Sequence, residues 1–424
     1  MIDGSKRKFM QVKDVRSFLD SVLANDIHTK RVESLANATL GVMTGASLAV
    51  AMIGKSLAQA RGLLPKHAIK QVDRLLSNSK LEAWDIFATW VPEMVGSRTD
   101  IVVAMDWTDF DADGQATLAL KLVTRHGRAT PLVWLSVFKD ELKDARNAYE
   151  DASLRRLAEV LPDGVRATLL ADRGFADTKL FGFLGELGFD YVIRLKGNTN
   201  VGAADGTTCP AAEWVGQGGR ARKLRDATVT GAQCPVGAVV CVHAKNMKQS
   251  WCLAASDGTA TAPQIIKLYS KRWTVEPSFR DTKDLRFGMG LSAVRIGDPQ
   301  RRDRLLLLNA FAVVLLTLLG AAGESLGMDR HLKSNTVKTR SHSLFRQGCM
   351  LYHLTPTCPS TGSDPSSNDT PSCYNNHGCS TIPLQSCKMR GCLRAQYTWI
   401  LCERNVVLRH YYRSTEIPRN AYAT

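Results

Sequence analysis

The chain has 424 residues, 44% of them hydrophobic, which excludes wholesale disorder and leaves room for two or three globular domains. Lysine and arginine number 55 against 40 acidic residues, so a net charge of +15 points to a polyanionic partner, nucleic acid first. A generally basic soluble protein has the same balance. Met1 to Val12 is too polar for a secretory signal, so the cytoplasm is the expected compartment. The eleven cysteines include no CxxC pair, which gives little support to a zinc site.

From Val12 to about Val95 apolar residues recur at helical spacing (Val15, Phe18, Leu19, Val22, Leu23, then Ile69, Val72, Leu75, Leu76). Residues 1–95 are read as an all-helical domain. Thirteen basic residues against nine acidic ones make it compatible with binding a DNA end, and equally with a plain scaffold. At Thr99 the pattern changes. Asp100 to Met105 (DIVVAM) reads as a buried strand, followed by strands at Ala116 to Val123 and Pro131 to Phe138. A helix fits Asn147 to Leu161, a strand Ala167 to Ala171, a helix Thr178 to Leu187 and a strand Tyr191 to Leu195. That order predicts an α/β fold with an RNase H-like mixed sheet across 96–330, interrupted by a β-rich insertion at 197–260. Helical spacing resumes from Ala262 to about Phe287 and from Arg301 to Leu326. Leu305 to Gly323 is apolar enough to resemble a membrane span, but Asn309 and Thr317 interrupt it and a buried core helix is expected.

Two aspartates directly follow predicted strands, Asp106 after DIVVAM and Asp172 after ATLLA. Strand ends of this kind line the crevice of an α/β sheet, and on neighbouring strands the two carboxylates would converge as oxygen ligands for Mg²⁺. Either aspartate alone reads as well as a turn or helix cap. Further along, Tyr269, Arg272, Glu276 and Lys283 are spaced by three, four and seven, within a ~60° sector of one helix face. A carboxylate flanked by cations suits a site that holds both a metal ion and DNA phosphates. A solvated face with an Arg272–Glu276 ion pair is the bland alternative. Pro277 disfavours helical geometry beside Glu276, so either the helix kinks there or a new one starts.

The Tyr-x2-Arg-x3-Glu-x6-Lys pattern, with Asp106-x-Thr108 after one strand and Asp172-Arg-Gly-Phe175 after another, resembles the DDE transposases of bacterial insertion sequence family 4 over roughly residues 10 to 350. The resemblance implies cut-and-paste transposition by metal-dependent phosphodiester hydrolysis and strand transfer. Asp106, Asp172 and Glu276 would be the catalytic, metal-binding triad, with two Mg²⁺ ions and Mn²⁺ as a substitute. Tyr269, Arg272 and Lys283 would contact phosphates near the element end. Trp273 either stacks on an unpaired base or is a core aromatic. The implied partners are double-stranded DNA, as terminal inverted repeats and target, and a second copy in a synaptic homodimer. A nucleoid-associated protein without a membrane follows. Two other readings stay open: an RNase H-like nuclease that cuts without joining, and a catalytically silent remnant that occupies element ends.

After Leu354 the composition turns abruptly to Pro, Ser, Thr, Asn and Cys. A Cys-rich module is one reading and a slipped reading frame the preferred one. Under one choice of codons for Thr355 to Pro365, the shifted frame reads Pro-Asn-Met-Pro-Glu-His-Arg-Leu-Arg, a charged, helix-compatible peptide. On that reading 331–424 is a C-terminal region that is frameshifted and disordered after about 354.

Overall fold

The computed structural model describes residues 12–23 and 27–354, and the stretch read as frameshifted lies outside them. The N-terminal region is helical as expected: α1 (Val12–Leu23), α2 (Thr29–Gly45), α3 (Val50–Arg61), α4 (Pro65–Leu76) and α5 (Ala83–Val95). The residues whose spacing marked α1, namely Val15, Phe18, Leu19, Val22 and Leu23, are all buried. Pro65 opens α4, where a missing N–H costs no hydrogen bond.

Next come β1 (Asp100–Phe110), β2 (Gln115–Val123), β3 (Ala129–Phe138), α6 (Arg146–Val160), β4 (Arg166–Ala171), α7 (Thr178–Glu186) and β5 (Asp190–Arg194). Gly114, at φ +61°, closes the turn from β1 into β2. The insertion supplies β6 (Asn200–Gly202), β7 (Thr208–Pro210), β8 (Arg222–Val229), β9 (Cys234–Val242) and β10 (Trp251–Ala255). All ten strands form one sheet in the order β3-β2-β1-β4-β5-β10-β9-β8-β6-β7. Only β1–β4 and β4–β5 pair in parallel; the other ladders are antiparallel. The insertion thus continues the central sheet through β10 and does not fold apart from it. This is an RNase H-like mixed α/β sheet preceded by helices.

Beyond the sheet lie α8 (Ala262–Ser270), α9 (Val275–Lys283), α10 (Pro299–Ser325) and α11 (Leu344–Leu354). Thr261 and Gln264 form a reciprocal cap on α8, and Asp298 caps α10 by accepting from Gln300 N and Arg301 N. Among the described residues α10 is the one unbroken helix long and apolar enough to cross a membrane, and most of its apolar window is buried inside the fold. It packs against α11, α2 and β3 as the expected core helix. A single large hydrophobic cluster joins the N-terminal helices, one face of the sheet and α10. The opposite face carries a smaller cluster, in which Leu170, Val192, Val240 and Leu253 meet Ile265 and Tyr269 of α8.

Candidate active site

The β1 strand is longer than expected. Its antiparallel ladder with β2 runs from Val103↔Leu122 to Phe110↔Gln115, so Asp106 lies inside the strand and not beyond its end. The parallel ladder with β4, by contrast, stops at Ala104↔Leu170. Carrying that register two residues further sets Asp106 beside Asp172, which follows β4 directly. The crevice therefore opens where β1 parts from β4 while β2 still holds it. Strand alternation places both aspartates on the α8 face, with Val102 and Leu170.

The third carboxylate arrives on a broken helix. The single face expected from Tyr269 to Lys283 is interrupted: α8 ends at Ser270, Lys271–Thr274 form one tight 3₁₀ turn, and α9 begins at Val275. Pro277 is the third residue of α9, in the first turn, where no intrahelical N–H donor is required. Of the two possibilities that the proline left open, a new helix is the one found. Arg272 still reaches Glu276: Nη2 lies 3.5 Å from Glu276 Oε1, while Nη1 lies 3.3 Å from Asp106 Oδ2. Its guanidinium stands between the two carboxylates.

Burial pushes the Asp106 carboxyl up to about 6; Arg272 opposes the shift, and the negative charges of Asp172 and Glu276 add to it. The three acids therefore share one electrostatic neighbourhood. Among the described residues, however, no three His, Cys, Asp or Glu side chains are gathered closely enough to hold a metal ion. The donor set is nevertheless all carboxylate oxygen, which suits a hard divalent cation, and Arg272 occupies the place of a counter-charge.

The flanking residues divide. Lys283 donates to Thr108 Oγ1 at 3.1 Å and to the Asp109 carbonyl at 2.6 Å, with its ammonium over the Phe110 ring; burial lowers its pKa. Trp273 is 46% exposed, so it is not a core aromatic, and the Arg272 guanidinium lies 5.2 Å from its ring. Tyr269 does not reach the surface. It is 1% exposed and edge-on to Trp251, and its hydroxyl lies within reach of the Arg272 guanidinium and the Asp172 charge. Its position in the last turn of α8 packs its ring against the sheet.

Two further ionisable groups adjoin the site. Lys121, opposite Ala104 in the β1–β2 ladder, donates to Ser278 Oγ at 3.0 Å and lies 3.6 Å from the Phe279 ring centroid. Burial pulls its pKa down to about 7, and Asp106 and Asp281 oppose that. Glu150 accepts from Trp107 Nε1 at 2.8 Å and Arg146 Nε at 2.9 Å, and so braces the residue next to Asp106. Both carried a signal: Lys121 is a lone charge in the apolar run of β2, and Glu150 shares a helix face with Ser153, Leu154 and Leu157.

Acidic residues at the parting of two parallel strands thus line the crevice of an RNase H-like sheet. Residues 97–315, just over half of the chain, match the family model of the transposase DDE domain, and the chain belongs to that family. The matched span contains Asp106, Asp172, Arg272, Glu276 and Lys283. Among curated proteins none matches the chain.

Proposed function

We propose that this member of the transposase DDE family carries out cut-and-paste transposition of an insertion sequence related to family 4, with Asp106, Asp172 and Glu276 as the catalytic carboxylates. The observation that carries the reading is the register that sets Asp106 beside Asp172 where β1 parts from β4, with Arg272 bridging Asp106 and Glu276. Divalent magnesium, as two ions with manganese as a substitute, would be held by these carboxylates and supply Lewis-acid activation of the scissile phosphodiester.

The protein's own residues do the rest. Arg272 keeps Asp106 and Glu276 apart and charge-balanced, and Glu150 and Arg146 hold Trp107 so that β1 presents Asp106 at a fixed angle. Lys283, anchored on the β1 backbone, is placed to pair with a phosphate along α9, and the half-exposed Trp273 offers a face on which an unpaired base can stack. Tyr269 acts indirectly, by fixing the end of α8 against the sheet. The helices of residues 1–95 are assigned to the DNA end, 96–330 to chemistry, and synapsis of two ends requires a homodimer.

The test is cleavage of the element's own end DNA with Mg²⁺ by the protein as written, a Glu276→Gln variant and a version with the reading frame restored after Leu354. Cutting and joining by the restored protein, with binding but neither activity in Glu276→Gln, is the expected result. Cutting without strand-transfer products would favour a nuclease. Undiminished cutting by Glu276→Gln would remove the triad from the mechanism.

A further inference from the structure

Beyond Lys283 the chain makes a short loop, Asp284 to Gly290, that is tightly held and yet displays two of the three most exposed large apolar side chains among the described residues. Leu285 is 74% exposed and Phe287 57%. The loop cannot turn them inward. Asp284 Oδ1 accepts from Arg286 N at 2.9 Å and Phe287 N at 2.6 Å, and its carbonyl accepts from Gly288 N at 3.1 Å and Gly290 N at 2.9 Å. Met289, itself buried, donates to the Asp281 carbonyl and accepts from Leu48 N at 2.9 Å, which ties the loop to the turn before α3. Gly288 lies so close to the end of α9 that a Cβ there would stand 2.5 Å from the Arg280 and Asp281 carbonyl oxygens.

A fixed loop with two apolar tips asks for an apolar partner, and its charges narrow the choice. The Arg286 guanidinium lies 5.1 Å from the Phe287 ring, Arg280 and Lys283 stand on the adjoining last turn of α9, and the two acids of this stretch are engaged, Asp281 with Arg128 and Asp284 with the loop's own amides. Apolar tips among cations match the two chemistries of nucleic acid, base faces and phosphates, better than a protein surface that would have to neutralise every charge. We propose that Leu285 and Phe287 form a wedge that enters the base stack of DNA lying along α9, with Arg286 on the adjoining phosphate. This rests on the reading of the site as one that acts on DNA. A wedge of this kind favours DNA already unstacked, since part of the opening cost is then met.

The full chain is titrated by fluorescence anisotropy against a short duplex of arbitrary sequence and the same duplex with a central two-nucleotide bulge carrying 2-aminopurine. The protein is expected to bind the bulged duplex about tenfold more tightly. A double variant, Leu285→Ala with Phe287→Ala, should bind both duplexes at the fully paired affinity, and Phe287→Trp should keep the preference and quench the probe. Because both side chains are exposed, all variants should melt with the parent. No preference in the parent, or its survival in the double variant, overturns the wedge while leaving the DNA reading intact. Failure to bind either duplex overturns both. A double variant altered only in sedimentation would make the loop a contact between two copies, which also overturns it.

Discussion

Arg272, on the tight turn between α8 and α9, and Arg302, on α10, are both buried, at 6% and 0% exposed, and each pairs with acidic side chains. Arg302, on α10, donates to Asp113 Oδ2 at 2.6 Å and Gln115 Oε1 at 2.7 Å, and its guanidinium lies 3.9 Å from the Phe110 ring centroid. Arg272 reaches its two carboxylates at 3.3 and 3.5 Å only, and Glu276 is half-exposed. Each arginine leaves one buried nitrogen without a partner, so the difference lies in the pairing. Arg302 closes the turn between β1 and β2 from beneath; Arg272 is a loosely held counter-charge between acids. Equal burial thus goes with tight pairing on α10 and with loose pairing at the turn between α8 and α9.

The strongest way to break this comparison is to remove Arg302. Arg302→Met would leave Asp113 with only the longer and more exposed Arg295 contact at 3.7 Å, and losing the close partner of a buried pair costs up to about 3–5 kcal/mol. Urea unfolding should show an unfolding free energy lowered by that amount, and adding Asp113→Asn should restore part of it. A loss below about 1 kcal/mol would place Arg302 with the surface pairs.

Next in size is the crossing of α10 and α11. A Cβ on Gly348 would overlap the Leu316 carbonyl, and one on Gly320 would overlap the Leu344 carbonyl. These helices touch backbone to backbone, so neither side can yield by a rotamer change. Gly348→Ala should cost about 3 kcal/mol, toward the upper end of overpacking penalties. Thermal melting checks it.

How much of this was legible beforehand follows the same division. Strands β2 to β5 and helices α6 and α7 lie within two residues of their expected bounds, because alternation and helical spacing are local signals. The full length of β1 was not legible. Asp106 to Phe110 reads as polar loop chemistry, and only the antiparallel ladder to β2 holds it extended. The break at Lys271 was half legible: Pro277 required a kink or a new start, and the choice came from packing Tyr269 and Val275 into the core on either side of a tight turn. The insertion's membership of the central sheet rests on the pairing of β10 with β5, Ala254 opposite Ile193, some sixty residues apart, which no local pattern encodes.

A pH profile sharpens the contrast further. On α10, burial raises the Asp303 carboxyl to about 8, while its hydrogen bond with Ser136 and the nearby Arg302 and Arg304 oppose the shift. A carboxyl whose folded pKa exceeds its unfolded value binds its proton more tightly when folded. Its stabilising contribution is complete below about pH 4 and is lost as pH rises through about 8, at up to ~1.4 kcal/mol per pH unit. Asp303→Asn keeps an acceptor for Ser136 N–H and removes the ionisation, so its stability should be flatter across that window in urea titrations at successive pH values. Equal slopes for both proteins would mean that Asp303 is already solvated.

The smallest expected change in stability is at Arg272. Arg272→Gln removes a cation as buried as most of the core, yet its bonds are long and Glu276 can turn to water. Asp106, already raised to about 6, would lose the positive charge that lowers it most and take up a proton more readily, which relieves the charge left behind. The unfolding free energy near pH 6 should therefore fall by less than about 1 kcal/mol, against the several expected for Arg302→Met. The loss should grow as pH rises above 7, where protonating Asp106 no longer comes readily, whereas the Arg302 variant, which leaves Asp106 untouched, should show no growth from that source. Similar losses for the two variants at every pH would mean that Arg272 is a structural cation, and that the long contacts at Asp106 and Glu276 have nothing to do with the site.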